Sequence, residues 1–219
     1  MLIQLTEEQK MLRDMAREFT RNEIAPRDKW MDDNGFDWDL CKKITEAGFM
    51  GANIPEQYGG GGGGIVDTTI IAQEFAKGSA SIATFMGGHW LASNLILENG
   101  TEEQRRKWLP KIVRGETVMA VCMTEPDFGS DLAHIQCSAV DMGDHYVVNG
   151  CKTFISNGMV ADLFVVAVRT NPNAEKAHKG ISLLLIEADS EGLTRQLIPK
   201  IGLQAQDTAQ IFFENVKVP

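Results

Sequence analysis

The stretch Arg114–Thr124, RGETVMAVCMT, contains the point at which the hydrophobic pattern of the chain changes. Before it, apolar residues recur about every three to four positions, which is the period of an amphipathic helix. After Gly115 the period falls to about two, and an apolar run typical of a buried strand begins at Val118. The sequence therefore predicts a helical domain over residues 1–117 followed by a β domain over residues 118–219, an α+β arrangement.

The first part of the chain contains several helical patterns. Two of them open on capping boxes, Thr6–Gln9 and Thr101–Gln104, in which a Thr oxygen caps the first turn and a Gln side chain reaches back. Another pattern is apolar nearly all round and is therefore expected to be buried. The predicted helices are Thr6 to Pro26, Trp38 to Ala47, Val66 to Lys77, the all-round apolar Ser81 to Glu98, and Thr101 to Arg114.

The second part reads as short apolar runs separated by turn residues. This pattern predicts a small antiparallel β-barrel or sandwich. The dipeptide Asn149-Gly150 predicts a tight hairpin turn between two of the strands. The predicted strands are Val118 to Thr124, Asp144 to Gly150, Lys152 to Ser156, Leu163 to Val168, Ile181 to Glu187, Thr194 to Pro199, and Ala209 to Phe213.

The bulk composition limits the class of protein. The chain has 219 residues, 43% hydrophobic and 23% charged, with a formal net charge of −9, values typical of a globular protein. Nucleic acid is not an expected partner, because phosphate contacts need clustered Lys and Arg. No window reaches the roughly 18 consecutive apolar residues of a membrane span. The opening MLIQLTEEQK turns polar too early for a secretory signal, so we expect a bacterial cytoplasmic or mitochondrial matrix protein.

Two features could be taken for a metal site or a phosphate-binding loop but are assigned structural roles. The cysteines Cys41, Cys122, Cys137 and Cys151 form no C-x-x-C pair and have no accompanying His cluster, so reduced thiols are predicted rather than a zinc site or disulfides. The glycine run Gly59–Gly64 lies between two helices and lacks the Lys of a phosphate loop. It is predicted to be a flexible connector.

Two turns that follow strands have the composition of a ligand site. Thr124–Asp131, TEPDFGSD, combines Pro126, which fixes φ, with Gly129, which permits positive φ or close backbone approach. Phe154 and Ser156 project to the same side of a regular strand. Such a pair can stack on a flat ring and hydrogen-bond its edge, whereas the structural alternative is a core Phe beside a turn Ser.

These turns resemble the flavin-contacting motifs of the acyl-CoA dehydrogenase family. Val121–Asp131, VCMTEPDFGSD, is similar to the first motif, and Asn149–Gly158, NGCKTFISNG, is similar to the second. Ile54–Gly60, Gly100–Gln104 and the closing stretch 202–219 also fit the family, in the same order. The residues of the second motif and of the closing stretch are most like those of the long-chain branch.

The resemblance implies FAD as cofactor and α,β-dehydrogenation of a fatty acyl-CoA, of medium to long chain, with hydride transfer to flavin N5. It implies that Thr124 bonds the polar edge of the flavin, that Ser156 bonds N5, and that Phe154 flanks the ring. The implied cofactor-binding residues are Val121, Met123, Thr124, Gly129, Ser130, Phe154, Ile155 and Ser156. The implied substrate-binding residues are Ser130, near the thioester arm, and Ala177 and His178, near the CoA portion.

The resemblance also implies what these residues lack. The family's catalytic base is a Glu of a C-terminal helical domain, which we expect to lie beyond residue 219, so no catalytic residue is assigned here and the chain alone is expected to be inactive. The same domain normally completes the FAD site and builds the homotetramer or dimer, and the electrons normally leave to an electron-transfer flavoprotein.

This chain departs from the family pattern at a few positions. Asp127-Phe128 replaces the usual Gly-Ala. Asp tolerates the left-handed region, so the turn is expected to survive, while Phe128 is expected to alter access to the flavin. Lys179 is an extra residue beside the implied CoA loop.

Other readings of the sequence remain open. The same scaffold carries acyl-CoA oxidases and flavin monooxygenases, and a truncated chain can bind acyl-CoA or a partner without turnover. A plain helical bundle with a β domain and no site is the least specific alternative. A separate hypothesis concerns Gly87 and Gly88, which interrupt the fourth helix: they either allow close helix packing or leave room for a long acyl tail.

Overall fold

The structure is a computed structural model that describes residues 4–219. The chain forms two compact units, one of residues 4–117 with Lys200–Gln206 and one of residues 118–199 with 207–219. Helices fill the first unit and a sheet fills the second, which confirms the predicted α+β order. We propose 1–117 and 118–219 as the two domains, although residues 1–3 lie outside the described part of the chain.

The helical unit is built from elements whose ends follow from local sequence. In both predicted capping boxes the Thr oxygen accepts the Gln backbone N–H at 3.2 Å. In return, the Gln side-chain Oε1 accepts the Thr backbone N–H, at 3.2 Å for Gln9 and 2.9 Å for Gln104. The helices are α1 (Glu7–Phe19), α2 (Asp28–Asn34), α3 (Trp38–Glu46), α4 (Ile65–Ala76), α5 (Ala80–Asn99) and α6 (Glu102–Val113).

The first helix does not stop at Pro26 as predicted. The chain continues through a π turn at Thr20–Ile24 and a 3₁₀ turn at Ala25–Arg27 into α2, which the sequence did not indicate. Pro26 lies in the first turn of this new segment, where a backbone N–H would have no helical partner in any case. A proline therefore marks a change of helix type here and not an end.

Helix α5 is buried along most of its length, as its all-round apolar pattern predicts. Phe85 and His89 are fully buried within the helical unit. The indole Nε1 of Trp90 donates to the Phe49 carbonyl at 3.1 Å, which satisfies its polar atom. Gly87, in contrast, is exposed.

The glycine run Gly59–Gly64 is an ordered loop, and the predicted flexibility is wrong. A Cβ at Gly60 would lie 2.1 Å from the Ile54 carbonyl oxygen, so the backbone approaches closer than any side chain allows. Amides of the run donate to the preceding segment at 2.8–3.3 Å: Gly60 to Pro55, Gly61 to Gly51, Gly62 to Ile54 and Gly63 to Ala52.

The second unit is a single sheet of mixed direction. Its strand order is β1-β4-β2-β3-β7-β6, and β5 also pairs with β4. Most pairs are antiparallel, as predicted, but β1 and β4 run parallel, and so does the single pair between Ser138 and Arg169. The strands are β1 (Met119–Cys122), β2 (Ser138–Asp141), β3 (Tyr146–Ser156), β4 (Leu163–Arg169), β5 (Ile181–Glu187), β6 (Leu193–Leu197) and β7 (Thr208–Val218).

The hairpin predicted at Asn149-Gly150 is wrong, because β3 runs through it without a turn. The register between β3 and β7 shifts at this point. Asn149 Oδ1 accepts the backbone N–H of Asn215 at 2.9 Å, and a Cβ on Gly150 would lie 2.7 Å from the Cα of Cys137. The dipeptide therefore serves a β-bulge and a close strand approach, the other use of glycine in strands.

Candidate functional site

The first turn leaves β1 and is closed by its own backbone. Glu125 N–H donates to the Phe128 carbonyl at 2.9 Å, and Phe128 N–H donates to the Glu125 carbonyl at 3.2 Å. Neither Asp127 nor Gly129 has a positive φ, so the turn forms without the left-handed residue that we expected. A Cβ on Gly129 would meet no atom within 4 Å, so nothing in this chain requires a glycine there.

The second predicted turn, Phe154–Gly158, begins within the last residues of β3 and holds an exposed aromatic ring in a strained conformation. Phe154 has φ +57°, and its side chain is 67% exposed. The register between β3 and β7 shifts again between Lys152 and Ile155, and this bulge rotates Phe154 outward. A bulky residue at positive φ is uncommon, and such outliers cluster at ligand sites. The predicted alternative of a core Phe is therefore wrong.

The two turns are joined directly. Thr153 N–H donates to the Thr124 carbonyl at 2.9 Å, so the residue before Phe154 is bonded to the first turn. Thr124 and Ser156 are both partly accessible. The structure thus brings the predicted hydroxyls and the predicted aromatic residue onto adjacent segments of one unit.

The remaining predicted cofactor residues have different environments. Val121 and Met123 are partly accessible and lie at the end of β1, and Gly129 and Ser130 are exposed. Ile155 is only 2% exposed and belongs to the hydrophobic core of the sheet. Its side chain therefore packs inward, away from the exposed ring of Phe154.

An arginine connects the segments that carry the predicted substrate residues. Arg169, at the end of β4, donates to the carbonyls of Ile135 at 2.9 Å, Ala133 at 2.6 Å and Ala177 at 3.2 Å. Ala177 is therefore fixed beside the loop that follows Ser130. His178, one residue on, is exposed.

A buried ion pair lies behind the first turn and was not predicted from the sequence. Lys152 Nζ is 2.8 Å from Glu125 Oε1, and it also donates to the Met123 carbonyl at 2.9 Å. Lys152 has no exposed surface and Glu125 is 6% exposed. The available signal was a lysine within an otherwise apolar strand pattern, which requires a buried anion as partner.

Two buried cysteines of this unit, Cys122 and Cys137, are not suited to act as nucleophiles. Burial raises the pKa of the Cys122 thiol well above its usual range and raises the pKa of Cys137 to about 12. Both thiols are therefore protonated at neutral pH, and the reactive form of cysteine is the thiolate. No disulfide joins the described cysteines.

Two findings concern the whole described chain. Within residues 4–219, no helix has the combined length and apolarity that a membrane crossing requires. The same residues contain no cluster of three or more His, Cys, Asp or Glu side chains that could hold a metal ion.

Comparison with known sequences places both units in one family. The acyl-CoA dehydrogenase N-terminal domain matches residues 6–116, and the acyl-CoA dehydrogenase middle domain matches residues 120–216. A mitochondrial isobutyryl-CoA dehydrogenase of Dictyostelium discoideum is 39% identical over 98% of this chain and 52% of its own length. A short-chain specific acyl-CoA dehydrogenase of Clostridium acetobutylicum is 38% identical over 98% of this chain and 57% of its own length. The chain spans about half the length of these curated relatives.

Solved structures agree with this assignment. An acyl-CoA dehydrogenase from Geobacillus kaustophilus superposes with a TM-score of 0.93 at 43% identity, covering 98% of this chain and 57% of the other. An acyl-CoA dehydrogenase from Bacillus anthracis, solved in complex with FAD, gives a TM-score of 0.89 at 31% identity, covering 98% of this chain and 37% of the other. On the matched domains and the shared fold, this chain belongs to the acyl-CoA dehydrogenase family.

Proposed function

We propose that this chain supplies one face of an FAD site in an enzyme that dehydrogenates acyl-CoA thioesters between the α and β carbons. The observation that carries the proposal is Phe154, a ring that is 67% exposed at φ +57° and bonded through its neighbour Thr153 to the turn of Thr124. Exposing and straining an aromatic residue costs free energy, of the order of 1–3 kcal/mol for the backbone alone. A flat ligand that covers the ring accounts for that cost.

The residues present fit a flavin. The ring of Phe154 offers an apolar surface for a fused ring system, and the hydroxyls of Thr124 and Ser156 offer hydrogen bonds to its polar edge. The exposed turn at Gly129 has no Cβ to obstruct a ligand. An FAD-bound relative with the same fold supports this choice of cofactor.

The protein residues in this proposal bind and orient. When bound, FAD supplies the acceptor for the hydride that leaves the β carbon. Thr124 and Ser156 hold the ring edge by hydrogen bonds, and Phe154 covers one face and excludes water. Ser130, Ala177 and His178 hold the acyl-CoA, with Arg169 fixing the position of Ala177. Dehydrogenation also requires a base for the α proton, and we assign that role to no residue of this chain.

The test is cofactor binding by hydroxyl-free variants. Thr124→Val and Ser156→Ala are each expected to weaken FAD binding about fivefold, the cost of one neutral hydrogen bond. Thr194→Val, at an exposed threonine of β6, is the matched control and should bind like the parent chain. Fluorescence titration of FAD measures all of these. Unchanged binding in both site variants would refute the assignment.

Activity separates this proposal from other flavoenzymes on the same scaffold. In the protein joined to its C-terminal partner domain, anaerobic acyl-CoA is expected to bleach the flavin absorbance, and air is expected to restore it slowly. Rapid reoxidation by air would indicate an acyl-CoA oxidase or a monooxygenase instead. A chain that takes up no FAD and ignores acyl-CoA would indicate a binding module without turnover.

We further propose an electron-transfer flavoprotein as the electron acceptor, and a homotetramer or dimer as the working assembly. Both follow from membership of the family, and each is open to direct measurement. Reduction of the acceptor by the acyl-CoA-reduced enzyme tests the first. Sedimentation of the enzyme joined to its C-terminal domain tests the second.

The acyl length remains a separate proposal. The relatives described above act on isobutyryl-CoA and on short chains by name, so identity gives no preference for long substrates. A Cβ on Gly87 would meet no atom within 4 Å, which argues against close helix packing there and favours open space beside α5. Gly87→Leu is expected to shorten the preferred acyl chain, measured as turnover against chain length. An unchanged profile would contradict the role of Gly87.

A further inference from the structure

The buried pair Lys152–Glu125 has more partners than an ordinary salt bridge. Besides the 2.8 Å contact between Nζ and Oε1, the carboxylate accepts two backbone N–H groups. Gln136 donates to Oε2 at 2.7 Å, and Cys137 donates to Oε1 at 2.8 Å. The carboxylate therefore connects the first turn to the entry of β2 as well as to β3.

The same pair holds the chain on both sides of Thr124. Lys152 Nζ donates to the carbonyl of Met123, the residue before Thr124, and bonds the side chain of Glu125, the residue after it. The Thr124 carbonyl itself accepts the N–H of Thr153. Three consecutive residues of the first turn are thus held by two consecutive residues of β3.

We propose that Lys152 and Glu125 are positioning residues that fix the backbone of Thr124 and so direct its side chain toward the ligand site. Glu125 acts as a hub, since it holds one cation and two backbone N–H groups at once. The pair does not touch the ligand; it acts through Thr124. The consequence for FAD rests on the proposed function, whereas the ordering of the turn does not.

The energetics explain why a charged hub is used. Burying a carboxylate is costly unless its lone pairs are satisfied, and here they receive an ammonium and two amides. An apolar pair of the same volume would remove the acceptor of both N–H groups, and the N–H of the buried Cys137 would then have no partner in the interior, which is unfavourable. Removing one partner leaves the other buried and unpaired.

Amide hydrogen exchange followed by NMR tests the hub directly. The reporter amides are Thr153, Gln136 and Cys137, whose acceptors belong to Thr124 and Glu125. In the unmodified chain these amides are expected to be protected. In Lys152→Met and in the milder Glu125→Gln, these amides are expected to exchange at least about tenfold faster. A tenfold increase corresponds to a decrease of about 1.4 kcal/mol in the free energy of local opening.

Arg195→Met is the matched control. Arg195 is a cation of the same unit that is only partly buried, and it donates to the carbonyls of Gly158, Met159 and Ala161. Its loss is expected to leave the three reporter amides within about twofold of the parent rate, since their acceptors are untouched. Equal acceleration of the reporters in all variants would show a general loss of stability and would overturn the proposal.

A charge swap separates a hub from a simple ion pair. Lys152→Glu combined with Glu125→Lys keeps both charges but removes the acceptor for Gln136 and Cys137. Protection of their amides is expected to remain lost. Recovery of protection in the swapped chain would mean that only the ion pair matters, and would refute the hub. If every variant fails to fold, unprotected reporter amides in the parent chain would refute it equally.

Titration with FAD completes the experiment. Glu125→Gln is expected to weaken FAD binding at least about tenfold, since the Thr124 contact is lost together with its ordering. Arg195→Met is expected to bind FAD like the parent. A parent chain that binds no FAD would refute the proposed function, while the exchange rates would still decide whether the hub orders the turn. Normal FAD binding by Glu125→Gln, with the reporters released, would overturn the link between hub and cofactor.

Discussion

The glycine loop of the helical unit and the first turn of the sheet unit are anchored to the rest of their units by different chemistry. Gly59–Gly64 uses backbone groups, with amides bonded to carbonyls of the segment before it. Thr124–Asp131 closes on its own backbone between Glu125 and Phe128, but buried side chains anchor it as well. Lys152 bonds Glu125 and the Met123 carbonyl, and Glu125 accepts the N–H groups of the two residues before β2. Both loops are compact, and the sequence suggested that only the second was a site.

The difference teaches how a loop presents a side chain. Gly60 leaves no space for a Cβ, so that loop can be compact but has few side chains to offer a ligand. The charged hub lies behind the turn and leaves Thr124 partly accessible. A turn held from behind by buried charge is thus suited to binding, whereas a turn held by backbone approach is suited to structure.

The largest expected effect comes from filling the glycine loop. Gly60→Ala is expected to lower the free energy of unfolding by about 4 kcal/mol, because the new Cβ meets a backbone oxygen that cannot move aside. The measurement is urea unfolding. Gly64→Ala is the control, since its nearest atom lies at 3.8 Å; it should cost no more than about 1 kcal/mol, the preference for glycine over alanine at the N-cap of α4. A mild effect of Gly60→Ala would mean that the loop is not held by close approach.

The next largest expected effect is a loss of stability of the helical unit at low pH, which His89 causes. Burial lowers the pKa of His89 from 6.5 to about 4. The unfolded chain then binds a proton more readily than the folded chain, so stability present above pH 6.5 is lost as the pH falls toward 4. The expected loss from this residue is about 3 kcal/mol at pH 4.

Unfolding of the parent chain and of His89→Gln between pH 7 and pH 4 measures this loss. The parent is expected to lose stability more steeply than the variant, because glutamine has no proton to take up. Parallel pH profiles for the two chains would show that the His89 pKa is not depressed. Circular dichroism at helical wavelengths follows the unit that contains the residue.

A smaller effect is expected in the sheet unit at Arg169. Arg169→Met is expected to cost about 2 kcal/mol, because three carbonyls lose a charged donor. It should also weaken acyl-CoA binding, since Ala177 is no longer held beside residues 133–135. Arg195→Met is the control, with a comparable loss of stability and intact acyl-CoA binding. Urea unfolding measures the stability of each variant, and calorimetric titration with an acyl-CoA that is not turned over measures its binding. If acyl-CoA binding weakens equally in the two variants, the loss is not specific to Arg169, and its role in substrate binding would be refuted.

The smallest expected effect has opposite signs for stability and for binding. Phe154→Gly removes the strain of φ +57° and is expected to raise the free energy of unfolding by about 1 kcal/mol. FAD binding should weaken, because the ring is gone. Phe154→Ala keeps the strained backbone and should lose binding without the gain in stability. Lower stability in Phe154→Gly would show that the residue packs against this chain and not against a ligand.

Much of the secondary structure could be predicted from local patterns. The capping boxes at Thr6 and Thr101 placed two helix starts correctly, because caps bond residues only three positions apart. The prediction of secondary structure failed where the same residue type is common in two different local structures. Pro26 began a turn within a helical segment and did not end it, and Asn149-Gly150 formed a bulge and not a hairpin. Local sequence contains no information about which strand lies alongside.

The site was predicted in part for a similar reason. The segments around Thr124 and Phe154 were recognisable as short sequence motifs. The structure joins them through the hydrogen bond from the Thr153 N–H to the Thr124 carbonyl. The inward orientation of Ile155 agrees with regular alternation, which places it opposite Phe154 and Ser156; it was named as a cofactor residue only because the resemblance implied the whole motif. The hub of Lys152 and Glu125 was missed because its members are 27 positions apart.

The sequence by itself determined the order of a helical and a β part, the starts of the capped helices, and membership of a family through its two turns. These depend on short-range periodicity and on consecutive residues. Only the tertiary structure decided that Phe154 is exposed and strained, that the glycine loop is held by close approach, and that Thr124 is enclosed by a buried charge pair. Those features depend on which distant segments meet, since burial and strand register are set by long-range packing and not by neighbours in the chain.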